Sequence, residues 1–313
     1  MRSKQRVRRP EKTGNSRFEW VTIPRSILGC RRSFGVYLPV DYGTSTRGYP
    51  TLYLFRGAER EWAGSQDGRE GLKRILDGLI ESGKIEPMIV VLPGFMEPSG
   101  RTQGVPLDWL ADGSNRGVGN GRFERHFFEI KDIVESRFAV RIGRRHAALD
   151  GFSMGGFSSM YLGLKYPALF GSVGSYDGSF MWPSQIDPRL KPFGRACKLW
   201  MSETCAPYFC GPTGWDIPRM ERANPITWVT NATGNRLRLL RDLKVHMRTA
   251  GSEVVGNVDR CYELDEYLEY AGIANTFRDQ LIFDKKARHD WSWADRHLNE
   301  TILLHDQVFR SIG

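Results

Sequence analysis

The residues of this chain whose types and spacing could do chemistry are a serine between glycines, a histidine close to the C-terminus and a few acids between them. Gly151, Phe152, Ser153, Met154 and Gly155 satisfy G-x-S-x-G, and Gly156 extends the run. In that pattern the serine sits on a sharp turn from strand to helix, so its hydroxyl projects above the sheet. The glycines leave room for neighbouring elements to pack against the turn. A serine hydroxyl is unreactive at neutral pH until a base removes its proton. The order that accompanies such a turn is serine, acid, histidine, which puts the base late in the chain. His289, in RHDW, lies just before a helical pattern at 291–310 and is the expected base. His297 and His305 fall inside that helix and read as partly exposed surface groups.

Three residues compete for the acid. Glu253 follows the expected strand VHMRTAG (245–251) by two residues, in a loop at the sheet's carboxyl edge, and is the first choice. Asp259 opens a helical pattern, where an N-cap explains it equally well. Asp177 ends the strand that follows the nucleophile helix. The acid need only orient and stabilise an imidazolium, so either Glu or Asp serves. The oxyanion of an acyl-transfer intermediate needs backbone donors. The N–H of Met154, directly after the serine, is one. The N–H of Ala58, in LFRGAEREW (54–62), is the other.

These groups meet only if strands and helices deliver them to one edge of a sheet. FEWVTIP (18–24) and RSFGVYLPV (32–40) alternate as antiparallel strands do. TLYLF (51–55) and MIVVLP (88–93) are continuous apolar runs, as in strands covered on both faces. Leu72, Ile75, Leu76, Leu79 and Ile80 share one helical face. Further helices are expected at 122–138, 154–166, 259–271 and 291–310, and strands at 146–152, 169–178, 245–250 and 277–283. This alternation predicts an α/β protein with one mostly parallel sheet and helices on both faces. Residues 179–234, rich in Trp, Pro and Gly, read as an irregular insertion that covers substrate.

Composition narrows the class further. The chain has 313 residues, 40% hydrophobic and 26% charged, as in ordinary globular proteins. No run approaches the roughly 18 apolar residues needed to span a bilayer. Much of the net charge of +9 lies in residues 1–16, which read as a basic, unstructured arm ahead of a single domain at 17–313. That arm has no apolar stretch behind it and does not read as a secretory leader. Elsewhere Lys and Arg are interspersed with acids, so no nucleic-acid groove is indicated. Cys30, Cys197, Cys205, Cys210 and Cys261 are too scattered for a disulfide framework or a zinc site. They are expected as free thiols in a reducing, cytoplasmic compartment. No metal or organic cofactor is called for.

VYLPVDY, YPTLYLFRGAEREW, IEPMIVVLPG, DGFSMGGFSSMYLGLKYPALFGSVGSYDGSF and RHDWSWADRHL occur in the order and spacing of a known family. From about residue 17 to 310 the chain resembles the putative-esterase family of α/β hydrolases. That family includes S-formylglutathione hydrolases, feruloyl and acetyl-xylan esterases, enterochelin esterases and mycolyltransferases. The resemblance implies an α/β-hydrolase fold and a Ser–acid–His triad, which falls on Ser153, His289 and Glu253. Glutamate is the acid in the mycolyltransferases. Two positions depart from the family pattern. Arg56-Gly57 stands where most members have His-Gly, and ARHDW replaces GGHDW through Arg288. Arg56 either attracts a carboxylate or phosphate near the site or pairs with Glu59 or Glu61.

The leading expectation is a serine carboxylesterase acting on a small-molecule ester. Acyl transfer by the same triad is the alternative within the enzyme class. A catalytically silent scaffold that binds a glycan or a partner through 179–234 is the alternative outside it. Trp62, Trp109, Trp182, Trp215, Trp291 and Trp293 are either core fillers or stacking surfaces for sugar or aromatic acids. Trp62 and Trp291 are the first choices for touching substrate, which would favour acylated sugars or hydroxycinnamoyl esters.

Overall fold

The computed structural model describes residues 15–64, 71–181, 199–251 and 257–311. The strands are β1 (Arg17–Ile23), β2 (Arg32–Leu38), β3 (Thr51–Phe55), β4 (Ile89–Leu92), β5 (Ala147–Gly151), β6 (Ser172–Tyr176), the short hairpin β7 (Cys210–Gly211) and β8 (Gly214–Trp215), and β9 (Lys244–Arg248). The longer helices are α1 (Leu72–Glu81), α2 (Phe123–Arg137), α3 (Met154–Lys165), α7 (Gly234–Asp242), α8 (Asn257–Tyr270) and α9 (Trp291–Arg310). Between β6 and α7 lie the short helices α4 (Ala206–Phe209), α5 (Ile217–Ala223) and α6 (Pro225–Thr230).

The main sheet runs β1-β2-β4-β3-β5-β6-β9. The β1–β2 and β2–β4 pairs are antiparallel, and the others are parallel. Side chains of a strand alternate between faces, and the core divides accordingly. Leu52, Leu54, Val90 and Leu92 pack with Leu72, Ile75, Leu76 and Leu79 of α1 and with Leu298 and Ile302 of α9. Tyr53, Phe55, Ile89, Val91 and Leu149 pack on the other face with Phe127 and Ile130 of α2, Phe157 and Met160 of α3, and Leu264 of α8. Each such buried side chain contributes about 1.5–3 kcal/mol. Because β3, β5, β6 and β9 are parallel, their carboxyl ends open onto one edge, where α/β sheets place their sites.

Three expectations need correction. Residues 277–283 do not form a strand. Asn275 and Ile282 make isolated parallel bridges to Val245 and Thr249, and Arg278–Gln280 between them is a 3-10 turn. The polar triplet turns outward, while the Asn275 side chain bonds both the N–H and the C=O of Met247. The described part of 179–234 is not irregular but a set of short helices. Asp216 and Asn224 cap two of them, accepting from Arg219 N and Ile226 N, and each is followed by a proline in the first turn. His297 and His305 are 2% and 0% exposed, because that face of α9 lies on the sheet rather than toward solvent. Most of the basic arm, residues 182–198 with Trp182 and Cys197, and Glu253 lie outside the described residues. No helix among the described residues is long and apolar enough to cross a membrane.

Candidate active site

Ser153 connects β5 to α3 with φ 60° and ψ −118°. A non-glycine residue at positive φ persists only where its surroundings over-determine it. Here the Ser153 amide donates to Tyr176 O at 3.0 Å, and Ser153 O accepts from Phe157 N and Ser179 N. The glycines are required by contact rather than by φ. A Cβ on Gly151 would lie 2.3 Å from Gly155 C, and one on Gly155 would lie 2.0 Å from Phe55 O. The start of α3 is therefore seated against the end of β3, with Gly155 against Phe55 and Arg56. As the first residue of α3, Met154 has an N–H with no partner inside the helix.

His289 reaches the same edge through its loop. Tyr176 Oη donates to Arg288 O at 2.7 Å, and Gly251 N donates to Ala287 O at 2.9 Å. Asp290 caps α9 by accepting from Trp293 N, which fixes the helix start directly after the histidine. The Phe152 ring packs against the His289 ring with centroids 4.7 Å apart. Arg288 does not take a positive φ, so the loop tolerates it in place of glycine.

The side chain bonded to His289 Nδ1 is Asp177, through Oδ2. An ionised carboxylate only accepts, so Nδ1–H donates and Nε2 is left as the basic nitrogen. The other carboxylate oxygen, Oδ1, accepts from Thr249 Oγ1 at 2.6 Å and from Ala250 N at 3.2 Å. Burial alone would raise the Asp177 pKa, but the bonds from His289, Thr249 and Ala250 outweigh it and hold the group below its ordinary value. Asp177 also has positive φ, 45°. Arg248 O holds its N–H at 2.8 Å and Asn257 Nδ2 holds its carbonyl at 2.9 Å. Asp259 lies in the first turn of α8. The last of the three competing acids is thus the one bonded to the histidine. The available sequence signal is an aspartate directly after a strand, a residue type that tolerates the left-handed region. Nothing in the sequence points to Thr249 or Asn257.

The remaining expected groups divide between the site and its supports. Trp62 is 2% exposed and donates Nε1–H to Phe55 O at 2.8 Å, so it braces the end of β3 instead of facing a ligand. Trp291 is partly buried and packs edge-on against Phe152 and Trp62. The Arg56 guanidinium lies over the rings of Phe152 and Trp291, 5.1 and 5.7 Å from their centroids, and its Nε is 3.7 Å from Glu61 Oε1. Its pairing is therefore with Glu61. Burial lowers the Arg56 pKa, while Glu61 opposes that shift. The N–H groups of Gly57 and Ala58 both donate to Glu61 Oε2, at 2.8 and 2.6 Å. Beside this loop a cleft of about 650 Å³ is lined by Trp20, Arg31, Ala58, Arg60, Met96 and Pro98.

A second serine–histidine–aspartate chain lies deeper. Asp150 Oδ2 is bonded to His305 Nε2 at 3.1 Å, His305 Nδ1 to Ser172 Oγ at 2.6 Å, and Ser172 Oγ to His246 Nε2 at 3.0 Å. His246 Nδ1 then meets Thr276 Oγ1 at 2.9 Å. Asp150 accepts from His305 Nε2–H, and the Ser172 and Thr276 hydroxyls link the two imidazoles and close the chain. Burial holds His246 well below its ordinary pKa, as a neutral donor–acceptor requires. Ser172 and His305 are both 0% exposed, so no substrate carbonyl reaches this serine. The chain ties α9 to β5, β6 and β9.

The parallel sheet, the strained serine turn and the aspartate–histidine pair at its carboxyl edge define an α/β-hydrolase fold. The chain belongs to the putative-esterase family, whose model matches residues 26–299. It is 31% identical over 176 residues to an endo-1,4-beta-xylanase/feruloyl esterase of Xylanibacter ruminicola, covering 54% of this chain and 23% of that protein. It is 27% identical over 226 residues to an esterase of Mycobacterium tuberculosis, covering 69% of this chain and 43% of that protein. The chain thus spans less than half the length of these two relatives. Among solved structures, it is similar to a ferulic acid esterase with a TM-score of 0.71 at 21% identity, covering 95% of this chain and all of that one. An S-formylglutathione hydrolase of Staphylococcus aureus gives a TM-score of 0.62 at 13% identity, covering 94% and 100%.

Proposed function

We propose that this protein is a serine carboxylesterase in which Ser153 is the nucleophile, His289 the base and Asp177, in place of Glu253, the acid. The observation that carries the reading is the His289–Asp177 bond beside the positive-φ turn of Ser153. Ser153 Oγ attacks the ester carbonyl carbon while its proton passes to His289 Nε2. Asp177 stabilises the imidazolium through Nδ1. The carbonyl oxygen becomes an oxyanion facing the N–H groups of Met154 and Ala58. When the intermediate collapses, the alcohol leaves with the proton from His289. A water molecule then loses a proton to His289, attacks the acyl carbon and releases the acid and Ser153.

The relatives and the surroundings of the site support a substrate class. One curated relative is named a feruloyl esterase, and one solved neighbour was determined with ferulic acid bound. In this chain Trp291 borders the histidine and Trp20 lines the cleft beside Ala58. Together these favour a hydroxycinnamoyl ester or an acylated sugar. Free Cys30, Cys205, Cys210 and Cys261 fit work in the reducing cytoplasm. The test is hydrolysis of p-nitrophenyl acetate, p-nitrophenyl butyrate and methyl ferulate by the protein and by Ser153→Ala. Loss of all three activities in the variant is expected. Equal rates in the two proteins would remove the esterase reading, whereas loss on the nitrophenyl esters with no methyl ferulate turnover would remove only the substrate class.

A further inference from the structure

An N–H group points in one direction and presents one acceptor position. If Ala58 supplies the second oxyanion donor, as in the function proposed above, the oxyanion must sit where Glu61 Oε2 now sits, 2.6 Å from Ala58 N. The same oxygen accepts from Gly57 N at 2.8 Å, so the loop forms a two-donor cradle already holding an anion. A carboxylate there competes with substrate and repels the charge that develops during attack. The cradle itself does not depend on that carboxylate alone. Gly57 O accepts from Phe95 N and Met96 N, and Trp62 Nε1 holds Phe55 O. A receiving group stands next to it. Arg56 Nε lies 3.7 Å from Glu61 Oε1 and has no hydrogen-bond partner among the described residues, though it is buried. Phe152 and Trp291 hold the guanidinium beside the site.

We infer that Glu61 is a displaceable occupant of the oxyanion hole, and that Arg56 is the positioning residue that takes its carboxylate when a substrate carbonyl claims the Ala58 N–H. This explains why the arginine that departs from the family's usual histidine sits beside Glu61. Its role is to draw Glu61 off the donor. A bulky or weakly bound ester must displace Glu61 before reacting, which makes the pair a filter on substrate as well as a gate on rate.

The experiment compares Glu61→Ala, Glu61→Gln, Arg56→Ala and the double variant Arg56→Ala/Glu61→Ala with the unaltered protein. The readouts are kcat and KM on p-nitrophenyl acetate, the rate at which a fluorophosphonate probe labels Ser153, and the melting temperature. Glu61→Ala should raise kcat/KM and labelling about tenfold, part of the roughly 10²–10³ that one oxyanion donor is worth. Arg56→Ala should lower both about tenfold. The double variant should match Glu61→Ala, because an arginine that acts through Glu61 has no effect once Glu61 is gone. An unchanged or reduced kcat in Glu61→Ala at an unchanged melting temperature overturns the inference. Should Glu61→Ala melt early, Glu61→Gln decides, since it keeps an acceptor but drops the charge: a rise in rate supports the gate, and no rise overturns it. In both cases the esterase reading stands or falls separately, on the Ser153→Ala result.

Discussion

The amide of Ser153 donates to the carbonyl of Tyr176, the residue immediately before Asp177. Ser153 and Asp177 are the two non-glycine residues with positive φ among the described residues. The two positive-φ turns are therefore tied together across the β5–β6 pair, and the Ser153 turn holds about 1–3 kcal/mol of strain that its surroundings must offset.

Asp177→Asn should reduce kcat on p-nitrophenyl acetate by about 10³–10⁴-fold with little change in melting temperature, because an amide in place of the carboxylate favours the wrong imidazole tautomer. Glu253→Gln should leave kcat within about twofold. A large loss in the second variant and none in the first would return the acid's role to Glu253.

Thr249→Val removes the 2.6 Å bond to Asp177 Oδ1 and leaves that oxygen with the Ala250 N–H. The carboxylate loses one of its anchors, so kcat should fall several-fold, to about a tenth, while KM stays put. Titration of kcat across pH 5–8 would test this, and an unaltered kcat at every pH would show that Thr249 does not hold the acid.

The chain offers a matched pair of glycines for a stability test. Gly155→Ala places a methyl 2.0 Å from the Phe55 carbonyl, against backbone that cannot yield, and should cost about 3 kcal/mol or more and abolish activity. Gly78→Ala, in the interior of α1 with nothing within 4 Å, should stabilise by about 0.5–1 kcal/mol. Urea unfolding of both variants reads the contrast directly, and similar midpoints would refute the close-packing account of the serine turn.

What the sequence discloses depends on whether a feature is local. Strand β3 and helix α9 fall where their patterns place them, because an apolar run and an N-cap are properties of a few adjacent residues. The serine turn is local in the same sense. The acid is not: Asp177 and His289 are 112 positions apart, and which acid the imidazole meets is decided by strand order and a left-handed turn. Position after a late strand favours Glu253, yet the bond is made from the end of β6. His297 and His305 depart from expectation for a related reason. Burial of α9 on the sheet is a tertiary fact, and a helix that hides histidine and aspartate beside leucine gives little amphipathic warning. Asp216 and Asn224, each with a proline close behind, are local signals for short helices inside an apparently irregular stretch.

His297 makes stability depend on pH. Burial among Tyr176, Phe277 and Phe283 lowers its pKa to about 3, with the Asp150 charge opposing the shift. An unfolded histidine titrates near 6.5, so below that pH the unfolded chain takes up a proton that the folded one refuses. Stability should therefore fall from about pH 6.5 down toward 3, by about 3 kcal/mol at pH 4 from this group. His246, also held neutral by burial, adds in the same direction. His297→Leu should flatten part of the fall in melting temperature between pH 7 and 4.5. Parallel melting curves for the two proteins would contradict the assignment.

Strand β5, helix α3 and strand β6 carry both Ser153 and Asp177, so these two residues are inherited together as one contiguous piece of gene. The histidine, and Thr249 and Ala250 that anchor the aspartate, come from distant segments. Insertions and replacements between β6 and α7 leave the spacing of serine and aspartate untouched. That freedom allows the short helices α4, α5 and α6 to diverge while the serine–aspartate spacing stays as it is.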